Sequence, residues 1–361
     1  MRNMKHRRRW IVLAVVVIII AIPVIFVVLK LNRVKHTGEI AEEELSINEL
    51  DEETQDILDG YTNIALFGLD NRSNGSYKSG NSDSIMIVSI NNDTKEVKLV
   101  SLYRDSYLNV YDDSFQKCNA AYAKGGPEYA IAMMNQNLDL NIKDYVAVDF
   151  NALSEVVDLL GGVELEITDK EAESMKVYID EMKEVTGKKS TYVSAGTHNL
   201  DGIQATAYCR VRNTVGDDFR RAQRQRTVLS LMFEKAKKAD IFTINKIIDA
   251  VMDDISTSFS STDILGLATE IAQYQFADSS GFPFSHYPMT LGKKGQVVVP
   301  TTLESNVIQL HSYLFGDTDY EVSETVQELS KKIQNDTGVS ESDGVTFSGD
   351  YLEESEDTEE E

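Results

Sequence analysis

Apolar positions along the chain fall into three regimes. Trp10 to Leu29, WIVLAVVVIIIAIPVIFVVL, is a run of twenty uncharged residues. Beyond residue 60, short apolar runs alternate with longer stretches of helical spacing. From 336 onward the chain becomes Ser, Asp, Glu and Gly, a composition that predicts disorder. At about 1.5 Å per residue, the first run is long enough to cross a hydrocarbon core of roughly 30 Å. It predicts a transmembrane helix that tolerates Pro23. A cleaved signal peptide would have an apolar region of only about 7–15 residues and a small-residue cleavage site after it. The run ends instead in LKLNRVK, which favours an uncleaved anchor.

Asn63–Leu69 (NIALFGL), Ser84–Ile90 (SIMIVSI) and Val97–Leu102 (VKLVSL) predict strands, and NNDTKE between the last two reads as a hairpin turn. Residues Pro127–Leu138 have helical spacing, opened by proline in the first turn. Tyr145–Phe150 predicts a strand, Asn151–Leu160 a helix closed by Gly161-Gly162, and Val163–Ile167 another strand. Residues 169–195 are polar and Lys/Glu-rich and read as a surface excursion. Gly202–Arg210 and Phe219–Lys238 read as helices, and helical patterns recur at 240–252 and 262–274. This alternation predicts an α/β fold, a layered α-β-α domain with a central mixed sheet, over 61–325. Flanking it are a basic segment at 1–9, the membrane helix at 10–29, an acidic linker at 30–60 and an acidic disordered tail at 326–361.

The chain has 361 residues, 35 Lys+Arg against 59 Asp+Glu, and a net charge of −24. That balance argues against a nucleic-acid partner. The charge is unevenly spread: residues 1–35 carry +8, 36–60 hold ten acids and no Lys or Arg, and 336–361 hold eleven acids and no base. The body at 61–335 is left with only −11. Arg2, Lys5, Arg7, Arg8 and Arg9 outnumber Lys30, Arg33 and Lys35, so the N-terminus is expected in the cytoplasm and the rest outside a cell membrane crossed once. Two cysteines make no disulfide framework, and no CxxC or His/Cys cluster suggests zinc.

Three constellations carry candidate chemistry. CRVRNTVGDDFRRAQRQR (Cys209–Arg226) holds six arginines, with Asp217 or Asp218 placed to cap the helix that follows. Arg220/Arg224 and Arg221/Gln225 are i,i+4 pairs, and Val228, Leu229, Met232 and Phe233 supply a buried stripe beside them. The planar guanidinium fork suits phosphate oxygens. The ordinary alternative is a solvated charged face, but the body is net acidic and few acids adjoin the cluster in sequence. The second constellation is Asp70 in GLDNR and Asp83 in NSDSIMI. Carboxylates at strand ends can share a hard cation such as Mg²⁺, although Asp is also common in turns. The third is SLYRDS, a strand ending in adjacent Arg104 and Asp105, followed by Lys117 in KCNAAYAKGG. A surface salt bridge would be the ordinary explanation of the adjacent pair.

The motifs GLDNR, SDSIMIVSI, SLYRDS, KCNAAYAKGG, DLLGGVELEI, GTHNLDGIQATAYCRVR and DDFRRAQRQR occur in this order, and together they resemble the LytR-CpsA-Psr family over roughly 60–275. The resemblance implies an enzyme that moves a glycopolymer from a polyprenyl-pyrophosphate carrier to peptidoglycan, forming a phosphodiester and releasing polyprenyl phosphate. Matched motifs imply Asp70 and Asp83 as Mg²⁺ ligands. Arg104, Arg210, Arg212 and Arg221 would be the pyrophosphate grip, with Lys117 and Gln225 in support. Asp105 or Asp218 would accept the hydroxyl proton. The lipid tail would require a roomy apolar cavity. Asn81 stands where the family often has Arg, a loss for which Arg72 would compensate. Tyr103 replaces a common Pro. Cys118 and Cys209 stand at usually apolar positions and read as small buried hydrophobes, and His198 reads as structural. Two rivals remain, a lipid-pyrophosphate hydrolase and a non-enzymatic receptor for anionic wall polymers.

Overall fold

Alternation with a period of two along the central strands sends their side chains into two separate cores, which fixes the layering. The computed structural model describes residues 35–69, 82–212, 217–251 and 254–346. In chain order these form β1 (Lys35–His36), α1 (Glu52–Asp59), β2 (Tyr61–Leu69), β3 (Ser82–Asn91), β4 (Glu96–Leu102), β5 (Tyr107–Asn109) and β6 (Phe115–Lys117). There follow α2 (Ala120–Leu138), β7 (Asp144–Asp149), α3 (Phe150–Leu159), β8 (Val163–Ile167), α4 (Asp169–Thr186), β9 (Gly196–Leu200), α5 (Gly202–Arg210), α6 (Asp217–Ala236) and α7 (Ile241–Val251). The last elements are β10 (Ile255–Thr257), α8 (Ser261–Glu270), β11 (Gln275–Phe282), β12 (Ser285–Thr290), β13 (Gln296–Pro300), α9 (Leu303–Phe315), α10 (Glu324–Thr337) and β14 (Val345–Thr346).

Seven strands form the central sheet in the order β1-β10-β7-β2-β3-β4-β11. It is mixed: β2 runs parallel to β7 and β4 to β11, while β3 is antiparallel to both β2 and β4. Phe67, Ile85, Ile87, Val100 and Leu102 face α2, α9 and α10 in the main core, against Met133, Leu310, Leu314 and Leu329. Ile64, Ile90 and Val97 point the other way, toward Phe259 and Tyr274. The expected α-β-α layering with a mixed sheet is therefore present.

Three expectations are corrected. Residues 169–195 are no simple surface excursion: 169–186 form α4, whose Met175, Ile179 and Met182 are buried against Val163, Leu200 and Ile203. That stripe has helical spacing, but Lys and Glu on the outer face mask it. The acidic segment 30–60 is no free linker where it is described. β1 pairs with β10, Asp51 caps α1 through the Thr54 amide, and Leu45 and Leu58 sit in the main core. Nor does the fold stop at 325, because Val326, Leu329 and Ile333 of α10 are buried in that same core. The expected membrane helix at 10–29 lies outside the described residues. Among the described residues, no helix is long and apolar enough to cross a membrane.

Two glycines shape the approach to the site. Gly126 has φ +77° and breaks α2 in two, so regular spacing restarts at Pro127, where the sequence predicts a helix start. Gly202 opens α5 against α3, and an added Cβ would lie 2.0 Å from the Ser154 carbonyl oxygen. Gly202→Ala is therefore expected to lower stability by about 1–3 kcal/mol through overpacking, measurable in a thermal melt.

Candidate active site

The register of β3 against β4 assembles the first half of the site. Met86 pairs with Ser101, so continuing the antiparallel ladder carries Asp83 to the level of Arg104, just beyond β4. Arg104 Nη1 donates to Asp83 Oδ1 at 2.6 Å. Lys117 ends β6, whose partner β5 follows Arg104 and Asp105 closely, and its Nζ lies 3.1 Å from Asp105 Oδ1. The second half comes from the C-terminal end of α5 and the first turns of α6. Arg212 Nη2 reaches Asp83 Oδ1 at 3.4 Å, while Arg221 Nη2 lies 2.6 Å from Asp218 Oδ1 and donates to the Asp83 carbonyl at 3.2 Å. Arg104 Nε joins the halves, 3.2 Å from Asp218 and 3.9 Å from Asp105.

Asp83, Asp105 and Asp218 thus face Arg104, Lys117, Arg212 and Arg221, a cluster with one more cation than anion. Arg221 is 4% exposed, and its Nε and Nη1 have no hydrogen-bond partner among the described residues. Burial pushes its guanidinium below the ordinary value, Asp218 opposes that, and Arg104 and Arg212 add to it. Arg104 is also desolvated, but Asp218, Asp83 and Asp105 outweigh burial and hold it above its usual value. A buried arginine with idle donors beside other cations is poised to bind an anion.

Three of these side chains, Asp83, Arg212 and Arg221, line a polar pocket of about 110 Å³ with Arg210 and Gln225, and Phe150, Tyr178 and Glu181 complete the wall. Behind it, between the sheet and helices α3 and α6, lies an apolar cavity of about 160 Å³ lined by Leu66, Met86, Val148, Leu153, Val228, Leu229 and Met232. Phe150, Cys209 and Gln225 belong to both walls. The apolar space is not the roomy one expected, falling below the roughly 300–1,000 Å³ of ordinary ligand pockets. A larger cavity, about 1,020 Å³, opens at the opposite end of the sheet beside Lys95, Asp144 and Asp263, and contains none of these residues.

The candidates read from sequence are largely brought together. Arg104, Asp105, Lys117, Arg212, Asp218, Arg221 and Asp83 form the charged cluster. Gln225 lines the pocket and donates from Nε2 to the Cys209 carbonyl at 3.3 Å. Arg210 also lines it, but its Nη2 is paired with Glu181 Oε2 at 2.8 Å and its guanidinium lies over the rings of Tyr178 and Phe150. Asp70, Arg72 and Asn81 lie outside the described residues. Cys118 and Cys209 are buried and free, with burial pushing both thiols up, Cys209 to about 12. His198 is 3.4 Å from Ser194 on the β9 side, away from the cluster.

The expectation that too few acids adjoin the arginines fails in three dimensions. Glu171 and Glu181, both from α4, pair with Arg224 and Arg210. Sequence reasoning missed α4 as a wall of the site. Its buried stripe at 175, 179 and 182 was the signal available.

Asp83 supplies hard oxygen, and Mg²⁺ commonly takes one or two carboxylates and completes its shell with water and substrate phosphate. The donor type therefore fits, although among the described residues no group of three or more potential ligands converges.

The LytR_cpsA_psr family model matches residues 24–289. The polyisoprenyl-teichoic acid–peptidoglycan teichoic acid transferase TagT of Bacillus subtilis (strain 168) is 30% identical over 290 residues, 76% of this chain and 77% of that one. A solved structure described as TagT bound to LI-WTA is 26% identical with TM-score 0.57, covering 84% of this chain and all of that one. The protein gbs0355 from Streptococcus agalactiae superposes with TM-score 0.61 at 25% identity, over 82% of this chain and 96% of that one.

Proposed function

The chain belongs to the LytR-CpsA-Psr family, and on that premise we propose that it is a membrane-anchored phosphotransferase that moves an anionic glycopolymer from a polyprenyl-pyrophosphate carrier onto peptidoglycan. The observation that carries this reading is the junction of two unlike spaces. A cation-rich polar pocket with idle Arg221 donors shares Phe150, Cys209 and Gln225 with an apolar cavity. A charged head on an apolar tail matches that pair of spaces, whereas a soluble sugar phosphate has no use for the second. The TagT relative's transferase activity and the structure described as TagT bound to LI-WTA support the same reading. The polymer class is teichoic acid or capsule. The apolar run at 10–29 would hold the domain at the outer face of the cell membrane.

In this mechanism Arg221, Arg212 and Arg104 neutralise the pyrophosphate oxygens, and Lys117 lies beside Asp105 at 3.1 Å. The sugar hydroxyl of peptidoglycan attacks the phosphorus that carries the polymer. The bond from that phosphorus to the bridging oxygen breaks, and polyprenyl phosphate leaves. Asp105 accepts the hydroxyl proton, because its cations stand farther off, Lys117 at 3.1 Å and Arg104 at 3.9 Å, than those of Asp218, Arg221 at 2.6 Å and Arg104 at 3.2 Å. Positioning and charge stabilisation supply most of the rate in such transfers. Asp83, with Asp70, would hold Mg²⁺, which polarises the pyrophosphate when bound.

Product analysis on a lipid-linked polymer tests the reaction. A phosphodiester-linked product should appear when peptidoglycan oligomers are added. Release of polymer phosphate at the same rate without acceptor would point to the hydrolase instead, and binding without turnover to the receptor. Chelation of divalent ions should lower transfer at least about tenfold, with recovery on adding Mg²⁺; transfer unaffected by chelation would remove the metal from the scheme. Leu229→Trp should fill the apolar cavity. It is expected to raise KM for the lipid-linked substrate while leaving affinity for inorganic pyrophosphate unchanged.

A further inference from the structure

Arg226 sits on the same helix as Arg221 but has no part in the site above. Five residues advance about 7.5 Å along a helix and turn about 140° around it, so Arg226 projects to a different face, over β11. It is 7% exposed, and its Nε and Nη1 have no hydrogen-bond partner among the described residues. Among the described residues, no carboxylate is paired with it. It lines a separate cavity of about 190 Å³ together with Tyr103, Gln223, Ser279, Ser280 and Gly281. Every polar side chain in that lining can donate a hydrogen bond, and none is a carboxylate. Tyr103 reaches the strand because residue 281 is glycine: a Cβ there would lie 2.1 Å from the Tyr103 hydroxyl oxygen. β11 is the last strand of the sheet, so the cavity sits at an edge that a long substrate can follow.

A buried guanidinium without a partner carries a desolvation cost that a bound anion would offset, and the arginine fork fits phosphate oxygens two at a time. We propose that this cavity is a second oxyanion subsite, taking a phosphate group of the glycopolymer separate from the pyrophosphate held by Arg221. This rests on the polymer-transfer reading above. Tyr103, which lines this cavity and not the Arg221 pocket, packs edge to face on Phe219 with ring centroids 4.5 Å apart. Burial lowers the affinity of Arg226 for its proton, with Tyr103, Tyr313 and Asp278 acting against it, and a bound phosphate would reinforce their effect.

Calorimetric titration of the full chain in phosphate-free detergent buffer tests the subsite, with inorganic phosphate in one arm and a short poly(glycerol phosphate) in the other. The parent is expected to bind inorganic phosphate at two sites. Arg226→Met should lose one of them, and Arg221→Ala the other. Arg226→Lys, which keeps the charge but not the fork, should weaken the subsite about tenfold. Without phosphate, Arg226→Met should melt no lower than the parent, since it removes an unpaired buried charge; a clearly lower Tm would make Arg226 structural and overturn the proposal. Identical phosphate isotherms for the parent and Arg226→Met would overturn it equally. Binding of inorganic phosphate but not of the polymer at this subsite would refute the polymer assignment. All these readings stand even if the chain transfers no polymer, so the two proposals fail separately.

Discussion

Arg221→Ala is expected to lower polymer transfer about 10²–10³-fold, the loss typical of removing one preorganised donor to developing charge. The side chain is 4% exposed, leaves Nε and Nη1 idle, and lies between Asp218 and the Asp83 carbonyl. Its guanidinium is held in place before substrate arrives, so little reorganisation is needed during reaction. The fold should survive, because Asp218 keeps Arg104 at 3.2 Å as a partner and the lost charge is one that burial disfavours. Steady-state transfer and a circular-dichroism melt on the same preparation separate the two effects. Arg221→Lys should recover only part of the rate, since an ammonium cannot present two parallel donors. Arg212→Ala should lose less than Arg221→Ala, as its side chain is 40% exposed and its charge better screened. Unchanged transfer by purified Arg221→Ala would refute the role assigned to that side chain.

Glu171→Ala is expected to destabilise the fold by about 3–5 kcal/mol, the usual cost of leaving one member of a buried ion pair alone. Glu171 Oε1 accepts from Arg224 Nε at 2.7 Å, with side chains 11% and 5% exposed. Its Oε2 also accepts from the Thr168 amide to complete the capping box of α4. This carboxylate therefore ties the α4 wall to α6, the helix that carries Arg221. The double change Glu171→Leu with Arg224→Met should recover much of the loss, because it removes both charges together and keeps the volume. Thermal or urea denaturation of the parent, the single variant and the double variant measures the coupling directly. If Glu171→Ala melted within about 1 kcal/mol of the parent, the pair would be ordinary surface electrostatics.

Central strands and site candidates were legible in the sequence for local reasons. Apolar alternation marked β2, β3 and β4 to within two residues at each end, because one face of each strand meets a core and the period is two. The arginine cluster stood out because guanidinium groups in a net-acidic body need an explanation. Elements whose polar faces dominate their composition were not legible. α4 and α10 look like solvated segments until the positions of Met175, Ile179, Val326 and Leu329 are seen against a partner surface. The acidic stretch before β2 reads as a linker because the burial of Leu45 and Leu58 depends on helices more than sixty residues away in sequence.

By itself the sequence determined the fold class, the family, the membrane-length apolar run and the residue types of the site, since these follow from composition, periodicity and motif order. Only the tertiary structure decided which charges meet. The antiparallel register of β3 and β4 sets Asp83 against Arg104, and the packing of α5 against α6 brings Arg212 to the Asp83 carboxylate and Arg221 to its main-chain carbonyl. α4 supplies the acids that pair with Arg210 and Arg224, whereas Arg221 keeps Nε and Nη1 without a hydrogen-bond partner among the described residues. Burial decided the rest. Charge can be counted along a chain, but whether a guanidinium is satisfied depends on which donors and acceptors packing places within hydrogen-bond reach of it.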